Sequence, residues 1–228
     1  MEEDLRPRPP VDRSRLLPEL RRMLDAADAL GASPVESQTP EQARASSELR
    51  IAGQWGAKDE IAEIETFRIP SGDTGIAVRL YRSPETANTI LFFHGGGWVV
   101  GSLETHDGAL RALTLAATAN ILAIEYRKAP EAPFPACLED AEAALDWLRA
   151  NGSGKGLDSD RVILAGDSAG ASIAAALAVR ARNRQIPILG QVLVYPATDL
   201  ANSTASRETF VFGYSAQQDV APFLVQVK

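Results

Sequence analysis

The chain of 228 residues is expected to fold as an α/β protein on a mostly parallel sheet with flanking helices. Two observations carry that expectation. Apolar runs at 89–93, 121–126, 161–165 and 190–195 read as strands, and they alternate with stretches near 105–118, 135–150 and 169–183 whose composition favours helix. The run Val162-Ile163-Leu164-Ala165 is apolar throughout, as a parallel strand covered on both faces requires. With 45% hydrophobic and 23% charged residues, the chain can bury one substantial core.

In chain order, Leu16, Leu17, Leu20, Met23, Leu24, Ala27 and Leu30 recur at helical spacing, stopped by Gly31. The arginines around them (Arg6, Arg8, Arg13, Arg15, Arg21, Arg22) are interleaved with acids and read as a solvated face. A second helix is expected from residue 40 to about 51. Residues 63–70 and 76–81, joined by Ser71-Gly72-Asp73-Thr74-Gly75, read as a hairpin at one sheet edge. The glycine-rich Gly152-Ser153-Gly154-Lys155-Gly156 is a helix-to-strand turn. It lacks the first glycine of a phosphate loop, and Gly156 sits where that loop needs Ser or Thr.

Composition excludes several function classes. A net charge of -7 opposes binding to nucleic acid, which needs a basic surface. The only histidines are His94 and His106, and no Cys/His cluster points to a metal or cofactor. Cys137 is the only cysteine, so no internal disulfide forms, and its apolar neighbours suggest a buried small residue. No run reaches the roughly 18 apolar residues of a membrane helix, and residues 1–30 lack the apolar core of a signal peptide, so a cytoplasmic location is expected.

Two motifs carry chemistry. Gly166-Asp167-Ser168-Ala169-Gly170 lies between a strand and an Ala-rich, proline-free helix, the context in which a Gly-x-Ser-x-Gly serine is held on a sharp turn. Ser168 then sits at a helix N-terminus, where free N–H groups favour a developing negative charge. A serine that merely caps the helix is the alternative. The second motif, His94-Gly95-Gly96-Gly97-Trp98, follows the strand at 89–93 directly. Consecutive glycines can leave backbone N–H groups bare toward a cavity, as binding of a tetrahedral oxyanion demands.

With these residues the chain resembles the hormone-sensitive-lipase-type (bacterial family IV) carboxylesterases of the α/β-hydrolase superfamily. Three further segments are similar: Gly101-Ser102-Leu103-Glu104-Thr105-His106-Asp107, Tyr126-Arg127-Lys128-Ala129-Pro130-Glu131 with Pro133-Phe134-Pro135, and Tyr195-Pro196-Ala197-Thr198-Asp199-Leu200. The resemblance spans roughly residues 55–225. It implies Ser168 as nucleophile and the N–H groups of Gly96, Gly97 and Ala169 as an oxyanion hole acting on a small-molecule ester. It also implies supporting roles for His94, through hydrogen bonds within the glycine loop, and for Asp167 at the elbow. By the same resemblance, residues 1–54 are cap helices, 55–200 an incomplete hydrolase core and 201–228 the start of a second cap segment.

The superfamily orders its triad as Ser, acid, His along the chain, yet no histidine follows Ser168. The resemblance places acid and base after two further strands that are expected to be absent from this chain. Three explanations are open: a fragment of a longer esterase, a truncated gene, or substitution by other groups such as Asp199 and His106. Two functions follow: a serine ester hydrolase acting through an acyl-enzyme on small to medium acyl esters, or a catalytically silent module that keeps only a ligand pocket. A sheet stopping at 190–195 would leave Val192, Leu193 and Val194 uncovered and invite self-association.

Overall fold

The computed structural model describes residues 13–29, 37–52, 56–85 and 88–199. Helix α1 (Pro18–Ala29) belongs to one compact unit, in which Arg21 and Arg22 are exposed as expected, whereas Arg13 pairs with Asp25 at 2.6 Å and is only 20% exposed; Arg6 and Arg8 lie outside the described residues. The remaining elements form a second unit: α2 (Pro40–Ala52), β1 (Ile64–Ile69), β2 (Ile76–Tyr81), β3 (Thr89–Phe93), α3 (Leu103–Ala117), β4 (Asn120–Ile124), α4 (Ala136–Asn151), β5 (Val162–Asp167), α5 (Ala169–Asn183) and β6 (Gly190–Val194). The stop at Gly31 and the cap segment at 201–228 lie outside the described residues.

The strands form one sheet in the order β1-β2-β4-β3-β5-β6. The expected hairpin β1–β2 is antiparallel at the edge, β2 pairs antiparallel with β4, and β4, β3, β5 and β6 are mutually parallel. Two strand ends fall two residues from the sequence reading. β4 ends at Ile124, because Tyr126 leaves the ladder to donate its hydroxyl to the His94 carbonyl at 2.8 Å. β5 runs on through Asp167, because Gly166 and Asp167 still pair with Leu193 and Val194 of β6.

Side-chain alternation along the strands divides the core into two layers. Leu91, Phe93, Leu122, Ile124 and Leu164 pack with Leu145 and Leu148 of α4 and Ile173 and Leu177 of α5. Ile90, Phe92, Ile121 and Ala123 face the other way, onto Leu103 and Leu110 of α3. The same alternation sorts the outermost strand: Leu193 packs against the core, whereas Val192 and Val194 are 51% and 41% exposed. The expectation that all three would be uncovered therefore fails for Leu193.

Connections leave β3 toward β4 on one side and return to β5 on the other, so the strand order reverses at β3. In parallel sheets the crevice beyond the carboxyl ends of strands at such a reversal is the place where ligands bind. No helix among the described residues is long and apolar enough to cross a membrane.

Candidate active site

Both chemical motifs sit at the carboxyl ends of the neighbouring central strands β3 and β5. Ser168 joins β5 to α5 with φ +50° and ψ −118°, a conformation that costs a non-glycine residue about 1–3 kcal/mol and persists where its surroundings over-determine it. Two bonds do so here: the Ser168 N–H donates to the Val194 carbonyl at 2.8 Å, and the Ser168 carbonyl accepts from Ser172 N–H at 3.1 Å. The Ser168 side chain makes no capping bond to the helix, so the bland reading of a capping serine fails. Gly170 lets the first turn of α5 lie against the end of β3, since a Cβ there would meet the Phe93 carbonyl oxygen at 2.0 Å.

The glycine loop is held by its carbonyls. His94 Nδ1–H donates to the Gly95 carbonyl at 2.8 Å, the Gly96 carbonyl accepts from the N–H groups of Val99 and Val100 at 3.0 and 2.9 Å, and the Trp98 carbonyl accepts from Ala129 N–H at 2.9 Å. Gly96 adopts φ +123°, which only glycine tolerates, and a Cβ there would fall 2.1 Å from the Val100 oxygen. With the carbonyls engaged, no hydrogen bond among the described residues occupies the N–H groups of Gly96, Gly97 or Ala169.

One carboxylate ties the two motifs together. Asp167 Oδ1 accepts the Gly95 N–H at 2.8 Å and lies 3.1 Å from His106 Nε2, so the residue before Ser168 is bonded to the residue before Gly96. Burial by itself would raise the Asp167 carboxyl, but the His106 hydrogen bond and charge and the Gly95 N–H outweigh it and hold the group below the ordinary aspartate range. The other His106 nitrogen, Nδ1, lies 2.8 Å from Thr105 Oγ1, within the capping box that Ser102 and Thr105 form at the start of α3.

His94 is fully buried, with its ring stacked on Tyr126 at 4.3 Å between centroids. Burial is the main cause pushing its pKa down to about 3, helped by the charge of Lys128. A neutral imidazole whose one proton goes to a carbonyl acts as a strut and is a poor base at neutral pH. His94 is therefore not disposed as a proton acceptor for Ser168, and the two ring nitrogens of His106 face Asp167 and Thr105. Cys137 is buried, as expected, and burial pushes its thiol up to about 11.

The remaining family-like segments act around these motifs. Asp107 turns away from the site to accept from Tyr81 (2.9 Å), Lys58 (2.7 Å) and Arg111 (3.0 Å). Arg127 binds the fully buried Asp140 through its backbone N–H at 2.7 Å and its Nε at 2.9 Å. Ala197, in the segment after β6, accepts from Ser172 Oγ at 2.8 Å. Sequence reasoning missed the His106–Asp167 pair and the role of Tyr126, because nothing in their local sequence announces a partner so distant along the chain.

A sequence profile described as alpha/beta hydrolase fold matches residues 90–221, more than half the chain. The chain belongs to the α/β-hydrolase family. Among α/β-hydrolase relatives, it is 45% identical over 135 residues to Esterase LipI of Mycobacterium tuberculosis, covering 57% of this chain and 42% of that protein. It is 35% identical over 188 residues to an ethyl acetate hydrolase of Pseudomonas putida, covering 79% and 58%. A solved ester hydrolase from the metagenome of Lake Arreo superposes with a TM-score of 0.86 at 33% identity, over 92% of this chain and 70% of that one. The resemblance to hormone-sensitive-lipase-type carboxylesterases thus agrees with the relatives found. The chain spans about half the length of the curated relatives it matches.

Proposed function

We propose that the protein carrying this chain hydrolyses carboxylic esters of small to medium acyl groups, with Ser168 as nucleophile. The observation that supports this most directly is the strained Ser168 at the β5–α5 junction, together with three N–H groups that have no acceptor among the described residues, those of Gly96, Gly97 and Ala169. In this reading Ser168 Oγ attacks the ester carbonyl while its proton passes to a base. The carbonyl oxygen, now an oxyanion, is held by the three N–H groups until the tetrahedral adduct expels the alcohol. Water then takes the place of the alcohol: it attacks the acyl carbonyl as the base removes its proton, and the second adduct collapses to the carboxylic acid as the proton returns to Ser168 Oγ. His94 and Asp167 act as supports, the first bracing the glycine loop and the second locking loop and elbow at one separation. The name of the Pseudomonas putida relative, an ethyl acetate hydrolase, favours small acyl groups.

The family order places base and acid after the sixth strand, and the 228 residues contain no histidine after Ser168. The alternative reading is a silent module that retains only the pocket. A fluorophosphonate probe separates the two, because phosphonylation needs an activated serine. Labelling lost in Ser168→Ala supports hydrolysis; an unlabelled wild type that still binds ester analogues supports the silent module. The half-exposed Val192 and Val194 on β6 also lead us to infer self-association along that edge, which a monodisperse monomer in light scattering would contradict.

A further inference from the structure

We propose that Arg44, on α2, is a positioning residue that holds the glycine loop in the geometry that leaves the Gly96 and Gly97 N–H groups open. The inference rests on the reading of those groups as oxyanion donors. Helix α2 packs on α3 with Ala43 and Ser47 buried, and from the adjoining position the Arg44 side chain, 26% exposed, reaches back toward the site.

Its guanidinium bridges two loops. Nε donates to the Val99 carbonyl at 2.8 Å and Nη2 to the Ala129 carbonyl at 2.9 Å, while Nη1 and Nη2 meet the Glu131 carboxylate at 2.9 and 2.6 Å. Ala129 in turn donates its N–H to the Trp98 carbonyl. Two consecutive carbonyls of the glycine loop, those of Trp98 and Val99, are therefore restrained from outside by Arg44 and by the residue that Arg44 grips.

The loop needs such restraint. Gly96, Gly97 and Trp98 all have positive φ, at +123°, +57° and +60°, and Trp98 is a bulky residue in the left-handed region. From inside, the Gly95 peptide is held by His94 and Asp167, and the turn that follows is closed by the Val99 and Val100 N–H groups on the Gly96 carbonyl. If the Val99 peptide rotates, that closure rotates with it, and so does the direction of the Gly97 N–H. The planar fork of arginine supplies donors at two fixed angles, which the single ammonium of lysine cannot reproduce. Glu131 is half exposed and both its carboxylate oxygens meet the guanidinium, so its part is to orient Arg44.

The test compares Arg44→Ala, Arg44→Lys and Glu131→Gln with the wild type in two assays. Amide hydrogen exchange should rise at least about tenfold at Val99 and Val100 in Arg44→Ala, with β3 and β5 unchanged. Saturation kinetics with p-nitrophenyl acetate should show kcat lowered about 10- to 100-fold with KM within about threefold, as expected when oxyanion donors are displaced by a fraction of an ångström to 1 Å. Arg44→Lys should fall between Arg44→Ala and wild type, and it supplies the comparison if Arg44→Ala does not fold. Glu131→Gln should stay within about threefold of wild type in kcat. Unchanged exchange at Val99 and Val100 overturns the proposal, as does exchange that rises equally in β3 and β5, or a kinetic loss confined to KM. A wild type without esterase turnover counts against the hydrolase reading alone, and the exchange measurement still decides the role of Arg44.

Discussion

Replacing Gly170 by alanine tests the close contact on which the site is built. The added Cβ would lie 2.0 Å from the Phe93 carbonyl oxygen and 2.5 Å from that of His94, and both are backbone atoms that cannot rotate away. Restoring an acceptable contact requires the first turn of α5 to retreat from β3 by about 1 Å, an overpacking change that typically costs about 1–3 kcal/mol and more when only backbone can yield. Alanine gains up to about 1 kcal/mol of helix propensity over glycine, so the two effects oppose and the clash wins. We expect a net loss of about 2 kcal/mol or more, read in urea denaturation, with a fall in Tm of about 4–8 °C for a chain of this size. Gly154→Ala is the control, because no atom lies within 4 Å of its added Cβ, and it should change stability by no more than about 0.5 kcal/mol. The retreat also shifts the Ala169 N–H relative to the glycine loop, so any esterase turnover should drop about a hundredfold. A Gly170→Ala protein as stable as Gly154→Ala would refute the argument that α5 is seated against β3 by the absence of a side chain.

Two further outcomes concern protonation. The Asp167 carboxylate is held below the ordinary aspartate value of about 3.9, so its stabilising contribution is complete above that pH and is lost as pH falls through the depressed folded value. The stability advantage of wild type over Asp167→Asn in urea titrations should therefore be constant from pH 5 to 7 and shrink below about pH 4; an advantage unchanged at pH 3 would contradict the pairing with His106 and Gly95. For His94, the unfolded imidazole gains its proton near pH 6.5 and the folded one not until about 3, so acidification through that interval costs stability. The His94 ring resonances in NMR should consequently stay fixed from pH 8 to about 5, and a midpoint near 6.5 would contradict its burial.

Much of the sheet was legible because the strands are short apolar runs and the Ala-rich helices α3, α4 and α5 between them contain no proline. The period of two in β6 also implies that only every second valine-or-leucine position faces outward, which explains Leu193 packing inward while its neighbours are exposed. The end of β4 is not legible because Tyr126 has high strand propensity and continues the run past Glu125, and its departure is decided by a hydrogen bond to the His94 carbonyl, 32 residues earlier. The spacing of Gly166, Ser168 and Gly170 announced a sharp turn at a strand–helix junction, and the three glycines after His94 announced exposed N–H groups. Both are local properties of small residues beside a strand.

By itself, then, the sequence determined the α/β alternation, the position of the Ser168 elbow and the identity of the glycine loop, since each rests on residues within one turn or strand. Tertiary structure alone decided what holds them in register. Asp167 meets the Gly95 N–H across 72 residues, and Arg44 meets the Ala129 carbonyl across 85. A carboxylate or guanidinium acquires its role from the donors and acceptors the folded sheet brings within 3 Å of it, and no local pattern encodes which those will be.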